Sequence, residues 1–592
     1  MKMTERWLRF WNFMRFSGPS QTSLRAKAIA VAERVTTLKK VENSKVSCPV
    51  CLDVLQTRND DDLKMTLAVH MSLWHPDDVV LQWDIMHNKE RSGIHMPSFI
   101  VGVGMAAGFG ALLVLSAKNQ HRELPVRRRR PELSKPGHLK FSLIQQCIAL
   151  VYQRMDIAPL MKLSHQITKL GTKVTFLTMK SAHLQTMAES ETRNHMININ
   201  LIPDGLELEN SQKNPDKLLE CAHRLIPGYL EDLLKKSNQS DKYFDRISGI
   251  IIDSPLAWMM AIPKKMGIKV ASFWVSNPGC LALGLKIPQL IEEKLIDSDG
   301  TPINHKNIKL LPNMPDMTTP DLLWYFPGDT NVQKSIFHVS KATVHHMVNA
   351  DWILCNWFHE LDPAAHDLTP NILSIGPLLA AGQSSGSFCS EDSTCLTWLD
   401  KQPKNSVVYV AFGSTSKFSP QQLDELANGL ELMGRPFLWV AWSGLNNGSS
   451  PVYSNDFIKR VGDRGKIVEW APQEAVLGHP SVACFVSHCG WSSFMESLSM
   501  GVPLVCWPYF ADQMYTKTCI CDGWRVGVWL KGDEGGVIRR DEIKEKVDEV
   551  LCDGIIRENA LKLKEMAINS ISEGGCSLVN LEYLVEQMKG YT

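Results

Sequence analysis

The residues whose types and spacing are best suited to chemistry fall in one stretch, Trp470 to Gln513, WAPQEAVLGHPSVACFVSHCGWSSFMESLSMGVPLVCWPYFADQ. Ala483 to His488 is a short apolar run rich in β-formers and reads as a buried strand. It stops at His488-Cys489-Gly490, and a helical pattern opens at Trp491-Ser492-Ser493. A strand that ends in a small-residue turn and feeds a helix presents backbone N–H groups at the positive end of the helix dipole, a ready place for phosphate. Ser492 and Ser493 are also good cap residues, with hydroxyls that suit phosphate oxygens. The same pattern fits an ordinary capped helix in an α/β domain, so the junction alone leaves both readings open.

The full stretch resembles the donor-sugar motif of the plant secondary-product glycosyltransferases, the UDP-dependent family that glucosylates small plant metabolites. The positions that carry the resemblance are Trp470, Pro472-Gln473, Leu477, His479, His488-Cys489-Gly490-Trp491, Ser493, Glu496, Gly501-Val502-Pro503, Pro508 and Asp512-Gln513. The resemblance implies that Trp470 stacks on uracil and that Gln473 and Glu496 bind the ribose hydroxyls. It further implies that His488 and Ser493 hold the diphosphate and that Trp491, Asp512 and Gln513 contact the sugar. Ala471, Gly490, Ser492 and Ser414 are expected at the UDP-sugar as well. These residue types match the ligand's parts, with an indole face for a flat base, a carboxylate to accept from a diol, and N–H groups for phosphate. In the family a final Gln goes with glucose. One departure is Ser492, where the family has Asn; the shorter side chain weakens the expected phosphate grip.

Such a site must be positioned by a large α/β framework, and the chain has room for one. At 592 residues it exceeds a single core, and 44% apolar with 21% charged residues is ordinary for globular domains. The formal net charge of zero gives no reason to expect a nucleic-acid partner. Fifteen scattered cysteines, several within apolar runs (Cys355, Cys484, Cys506), read as buried thiols rather than a disulfide scaffold. With Lys2, Arg6, Arg9 and Arg15 interrupting any signal-peptide core, a cytoplasmic chain is expected, and a monomer.

From about residue 136, apolar strand-like runs alternate with helical ones: 147–152, 173–178, 248–253, 269–274, and after a Gly/Ser-rich linker at 380–393, 406–414, 437–440, 466–470, 483–488 and 503–508. WILCNW and the following IGPL turn look like the family's end of its first domain. SVVYVAFGS ends in Gly413-Ser414, a second small-residue turn suited to phosphate. The resemblance, over roughly residues 140–592, implies an α/β fold of two facing Rossmann-like domains (GT-B type). The acceptor domain is expected over 136–385, the UDP-sugar domain over 386–575, and a last helix, 576–592, crossing back.

Residues 1–135 are outside the resemblance. WLRFWNFMRF is basic and aromatic and fits either a membrane-surface helix or a frayed tail. Cys48, Cys51, His70 and His75 make a plausible zinc set over 48–75, although the 18-residue gap is longer than the usual finger spacing of about 12, and two unrelated pairs fit too. Residues 97–117 carry no charge and are long enough for a membrane helix, which needs about 20; with Lys118 and Arg127 to Arg130 following, the large C-terminal part would stay in the cytosol. A buried soluble helix is the alternative, and a fusion of gene segments would explain the whole extension. The two readings conflict, because a finger before the span would lie on its far side.

The family's reaction, as the resemblance implies it, is an inverting displacement at the sugar's anomeric carbon, with UDP-glucose as donor substrate and no cofactor. Its usual base is a His in a Gly-His-x-x-Pro turn after the first strand, oriented by an Asp. Here Pro159 marks the anchor, and the residue three before it is Asp156. An ordinary carboxylate, with a pKa near ~4, is a poor base for a phenol, but burial or a second carboxylate raises it. His165 is expected to point away as a surface or packing residue, and His138, in Pro136-Gly137-His138, lacks the following Pro. The orienting Asp is Asp253, which ends SGIIID and has a helix N-cap as its alternative role. Asp321 to Trp324 match an acceptor-side loop of the family. Three function classes follow: a glucosyltransferase acting on flavonoids or similar hydroxylated metabolites; a UDP-sugar binder with weak or no turnover; and a membrane-tethered, zinc-binding interaction protein carrying the transferase fold.

Overall fold

A computed structural model of the chain describes residues 146–589 apart from 152–153, 181–194, 204–214, 240–245, 304–306, 311, 327, 369–370, 381–390 and 447–451, together with 40–42, 45–47 and 54–56. The last three segments are strands β1 (Lys40–Glu42), β2 (Lys45–Ser47) and β3 (Val54–Gln56), paired antiparallel. The zinc set Cys48, Cys51, His70 and His75, the span at 97–117 and His138 lie outside the described residues. Among the described residues, no helix is long and apolar enough to cross a membrane, and no cluster of His, Cys, Asp and Glu is set to hold a metal ion.

The alternating pattern gives two all-parallel sheets. The first holds β4 (Gln146–Leu150), β5 (Lys173–Met179), β6 (Ile197–Ile202), β7 (Ile247–Asp253), β8 (Lys269–Trp274), β9 (Trp352–Cys355) and β10 (Ile372–Ser374), in the order β10-β9-β8-β7-β4-β5-β6. The second holds β11 (Val407–Ala411), β12 (Phe437–Val440), β13 (Gly465–Val468), β14 (Val482–Ser487), β15 (Leu504–Cys506) and β16 (Gly527–Trp529), in the order β13-β12-β11-β14-β15-β16. Central strands such as β11 and β14 are buried along their whole length, because helices cover both faces of a parallel sheet. Val408, Val410, Trp439, Val486 and Val505 are among those that fill the second core. Each such side chain contributes about 1.5–3 kcal/mol on removal from water.

Three strands do not stand out in the sequence: β6, β10 and β16. All three are edges of their sheets. An edge needs only partial cover, so β6 carries Asn198 and Asn200, and β10 and β16 are three residues each.

The strand order fixes where a ligand can sit. In the first sheet the chain runs β4-β5-β6 to one side and then returns to lay β7 on the other side of β4; in the second, β14 lies on the far side of β11 in the same way. Such reversals open a crevice beyond the carboxyl ends of the two central strands. The helices that begin there are α1 (Arg154–Lys169) after β4 and α3 (Trp491–Met500) after β14; α2 (Gln473–Leu477) and α4 (Asp512–Thr518) flank the second crevice. The last helix, α5 (Cys576–Lys589), packs on the first sheet. Its Asn580 donates to the Ser374 carbonyl at 2.9 Å, and Met588 fills the space over Gly249 that a Cβ would claim.

Candidate functional site

The junction after β14 leaves the N-terminus of its helix open. Gly490 is the N-cap of α3, no side chain caps that helix, and its first turn carries no acid. Ser492 and Ser493 therefore lie inside the first turn and do not act as the cap, which leaves the first N–H groups facing the crevice. His488 stands beside them, buried, with Nε2 only 2.5 Å from where a Cβ on Gly490 would sit and 2.7 Å from one on Gly413. Gly413 also has φ +65°, so the ring is lodged between two positions that only glycine fills comfortably. Burial pushes the imidazole down to about 4, against the opposing pull of the Ala411 backbone and the Glu496 charge. His488 is accordingly a neutral N–H donor near pH 7 and not a cation. Ser414, half-buried, follows Gly413 at the end of β11.

Around this junction the other motif residues form a connected polar network. Gln473, at the start of α2, donates through Nε2 to Ser493 Oγ (2.9 Å) and Glu496 Oε2 (2.7 Å), and accepts from the Tyr409 hydroxyl at 3.2 Å. Trp470 is half-buried, its carbonyl taken by the Asp392 N–H, and Ala471 is buried beside it. Gln513 accepts the Tyr509 and Phe510 N–H groups at 2.8 and 3.1 Å, fixing that turn and leaving its amide nitrogen to donate. Ala511 takes φ +54° to start α4 and present Asp512, whose carboxylate accepts from Ser276 at 2.7 Å. Burial pushes Asp512 up to about 6. Trp491 differs from expectation. Its ring is buried against Phe494 and Trp524, and its N–H is given to the Asn356 carbonyl at 2.8 Å, so the side chain has no donor left for a sugar.

On the other side, Asp156 lies in the first turn of α1, not in a loop, and Asp253 is the last residue of β7, the strand next to β4. The two carboxyl groups lie close enough for each to influence the other's protonation. Burial pushes Asp156 up to about 7; the Asp253 bond pulls it down, and the nearby Asp512 charge raises it further. Asp253 makes no side-chain cap for the 3₁₀ helix Ser254–Met260 that follows it. His165 is buried within α1 and not at the surface. Asp321 and Trp324 are structural: Asp321 closes a turn with Thr318 and accepts from Thr518 Oγ1 at 2.7 Å, and buried Trp324 donates to the Gly300 carbonyl at 2.8 Å.

Four residues of this network escape a reading of the sequence: Lys162, Glu474, Tyr409 and Ser276. Only Lys162 leaves a trace, as a charge in Pro159-Leu160-Met161-Lys162-Leu163, where its neighbours are core residues. Tyr409 sits within an apolar strand, and Glu474 and Ser276 are indistinguishable from ordinary solvated side chains until the chain folds.

The family described as UDP-glucoronosyl and UDP-glucosyl transferase matches residues 329–569. UDP-glycosyltransferase 83A1 of Arabidopsis thaliana is 39% identical over 447 residues, 73% of this chain and 94% of that protein. Among solved structures, UGT2 of Phytolacca americana, complexed with UDP-2fluoro-glucose and pterostilbene, superposes with a TM-score of 0.62 at 26% identity over 75% of this chain and all of the other. Os79 of O. sativa in complex with UDP shares the fold with a TM-score of 0.64 at 23% identity, again over 75% of this chain and all of that one. With its two Rossmann-like sheets in the GT-B arrangement, the chain belongs to the UDP-glycosyltransferase family and has plant enzymes among its relatives.

Proposed function

We propose that the protein transfers glucose from UDP-glucose to a hydroxyl group of a small plant metabolite, with flavonoids and other phenols as the first class to test, inverting the anomeric carbon. The observation that carries the reading is the Asp156–Asp253 pair at the crevice of the first sheet, with Asp512 of the donor side close enough to raise Asp156. In the reaction the acceptor's O–H proton passes to the ionised carboxyl pair and its oxygen bonds to the anomeric carbon. The bond from that carbon to the β-phosphate oxygen breaks, and UDP leaves with the electron pair. The carboxyl raised to about 7 is a far better match to a phenol than an ordinary aspartate. The departing diphosphate is met by the α3 N–H groups, the His488 N–H and Ser493, donors fixed in place before charge develops. Trp470 takes the base, Ala471 its edge, Gln473 and Glu496 the ribose, and Asp512 with Gln513 the glucose; Ser414, Gly490 and Ser492 complete the phosphate lining. Trp491 contributes its backbone.

The test is UDP release by the purified protein given UDP-glucose and a panel of flavonols, simple phenols and aliphatic alcohols. Turnover with a phenol that is lost in Asp156→Ala supports the reading. UDP binding without turnover on any acceptor would instead assign a sugar-nucleotide binder that has lost its base.

A further inference from the structure

Glu496 is held from the opposite domain. Lys162, in α1 of the acceptor side, reaches Glu496 Oε1 at 2.5 Å and Glu474 Oε1 at 2.5 Å, and all three side chains are at least four-fifths enclosed. Glu474 is itself fixed by the Ala380 N–H, at 3.1 Å to Oε1 and 2.9 Å to Oε2. Burial alone would lower the Lys162 ammonium, yet the two carboxylates push it up to about 12, so it stays charged. We propose that Lys162 is a positioning residue: its contact with Oε1, together with Gln473 on Oε2, fixes the Glu496 carboxylate in the orientation that faces the nucleotide's ribose diol. This rests on the reading above that Glu496 binds the ribose.

The lone-pair count supports it. An ionised carboxylate offers about four acceptor sites. Lys162 occupies one on Oε1 and Gln473 one on Oε2, which leaves two, the number a vicinal diol needs. In addition, Lys162 lies six residues beyond Asp156 on one helix, roughly 9 Å along the axis. The contact that orients the ribose carboxylate therefore also pins the helix that carries the base, and tight nucleotide binding and correct placement of the base are set by one side chain.

Calorimetry on the full-length protein with UDP and with 2′,3′-dideoxy-UDP tests this. The parent is expected to favour UDP by about tenfold or more, the loss of two hydroxyl bonds to a charged acceptor. Lys162→Met is expected to lose about tenfold for UDP and nearly nothing for the dideoxy nucleotide, and Lys162→Arg to retain the preference. The double variant Lys162→Met, Glu474→Gln, which restores the charge balance of the buried cluster, must show the same selective loss. Equal losses for both nucleotides would mean a general structural role and overturn the proposal, as would an unchanged preference in Lys162→Met. A parent that binds both nucleotides alike would remove the ribose assignment of Glu496 itself, and the Lys162 proposal with it.

Discussion

The helices that follow β4 and β14 both start beside the point where their sheet's strand order reverses, and they carry opposite chemistry. After β14, α3 begins with no acid in its first turn and no side-chain cap, beside a histidine that burial keeps neutral. After β4, the first turn of α1 is occupied by Asp156, pressed against Asp253. Both use the positive end of a helix. One leaves it open for an anion that arrives with the donor. The other fills it with an acid of the chain's own and then buries that acid deeply enough to lift it to about 7 in spite of the dipole. In the proposed function, the same backbone feature is assigned as a binding cradle in one sheet and as the seat of a base in the other, depending on whether a side chain already occupies it.

That contrast yields graded expectations. Asp156→Asn should lower kcat the most, by about 10² to 10⁴-fold, the usual contribution of a general base, with UDP affinity unchanged by calorimetry. Retained turnover in Asp156→Asn alongside its loss in Asp253→Asn would shift the proton-accepting role from α1 to β7. His488→Ala should cost on the order of a hundredfold in kcat, as removal of one oxyanion donor does. Gly490→Ala should reproduce part of that loss by displacing the ring, and normal kinetics in Gly490→Ala would show that His488 needs no such seat.

The two sites also respond to pH in opposite ways. Asp156 must be ionised before it can take a proton, so log kcat/KM should rise with pH and level off above about 7. A flat profile between about pH 5.5 and 8.5 would detach the rate from this pair. His488 has its folded pKa depressed, to about 4 from an ordinary 6.5, so its contribution to stability is complete above about 6.5 and is lost as pH falls toward 4. Measured against His488→Asn, the parent should lose stability by urea over that window by an amount corresponding to about 3 kcal/mol, while the raised carboxyls of Asp156 and Asp512 act the other way in both proteins and cancel in the difference. The smallest effect is expected from Ser276→Ala, which removes one hydroxyl donor from Asp512: a KM change of a few-fold, or about 1 kcal/mol.

The donor half was legible because it is local. Strand β14, the turn at His488-Cys489-Gly490 and helix α3 are contiguous, so the backbone N–H groups and the neighbouring side chains are brought together by the chain's own course. The central strands were legible for a related reason: full burial on both faces demands unbroken apolar runs, a demand the edges β6, β10 and β16 escape. The ring of Trp491 was misplaced because its identity says only that it is large and has one donor; the fold spends that donor on Asn356.

Periodicity in the linear order was enough to show an α/β alternation and a strand-to-helix junction after His488; the two-domain class, the phosphate role of that junction and the identity of the two aspartates came from the motifs that resemble the family. The linear order was silent on protonation and on partners. Whether Asp156 titrates near its ordinary value or near 7 depends on burial and on Asp253 and Asp512, which come from distant parts of the chain. Glu496 likewise meets Lys162 across 334 positions. Electrostatic states are properties of a surrounding volume, and that volume comes into being when the two sheets pack with their crevices toward each other.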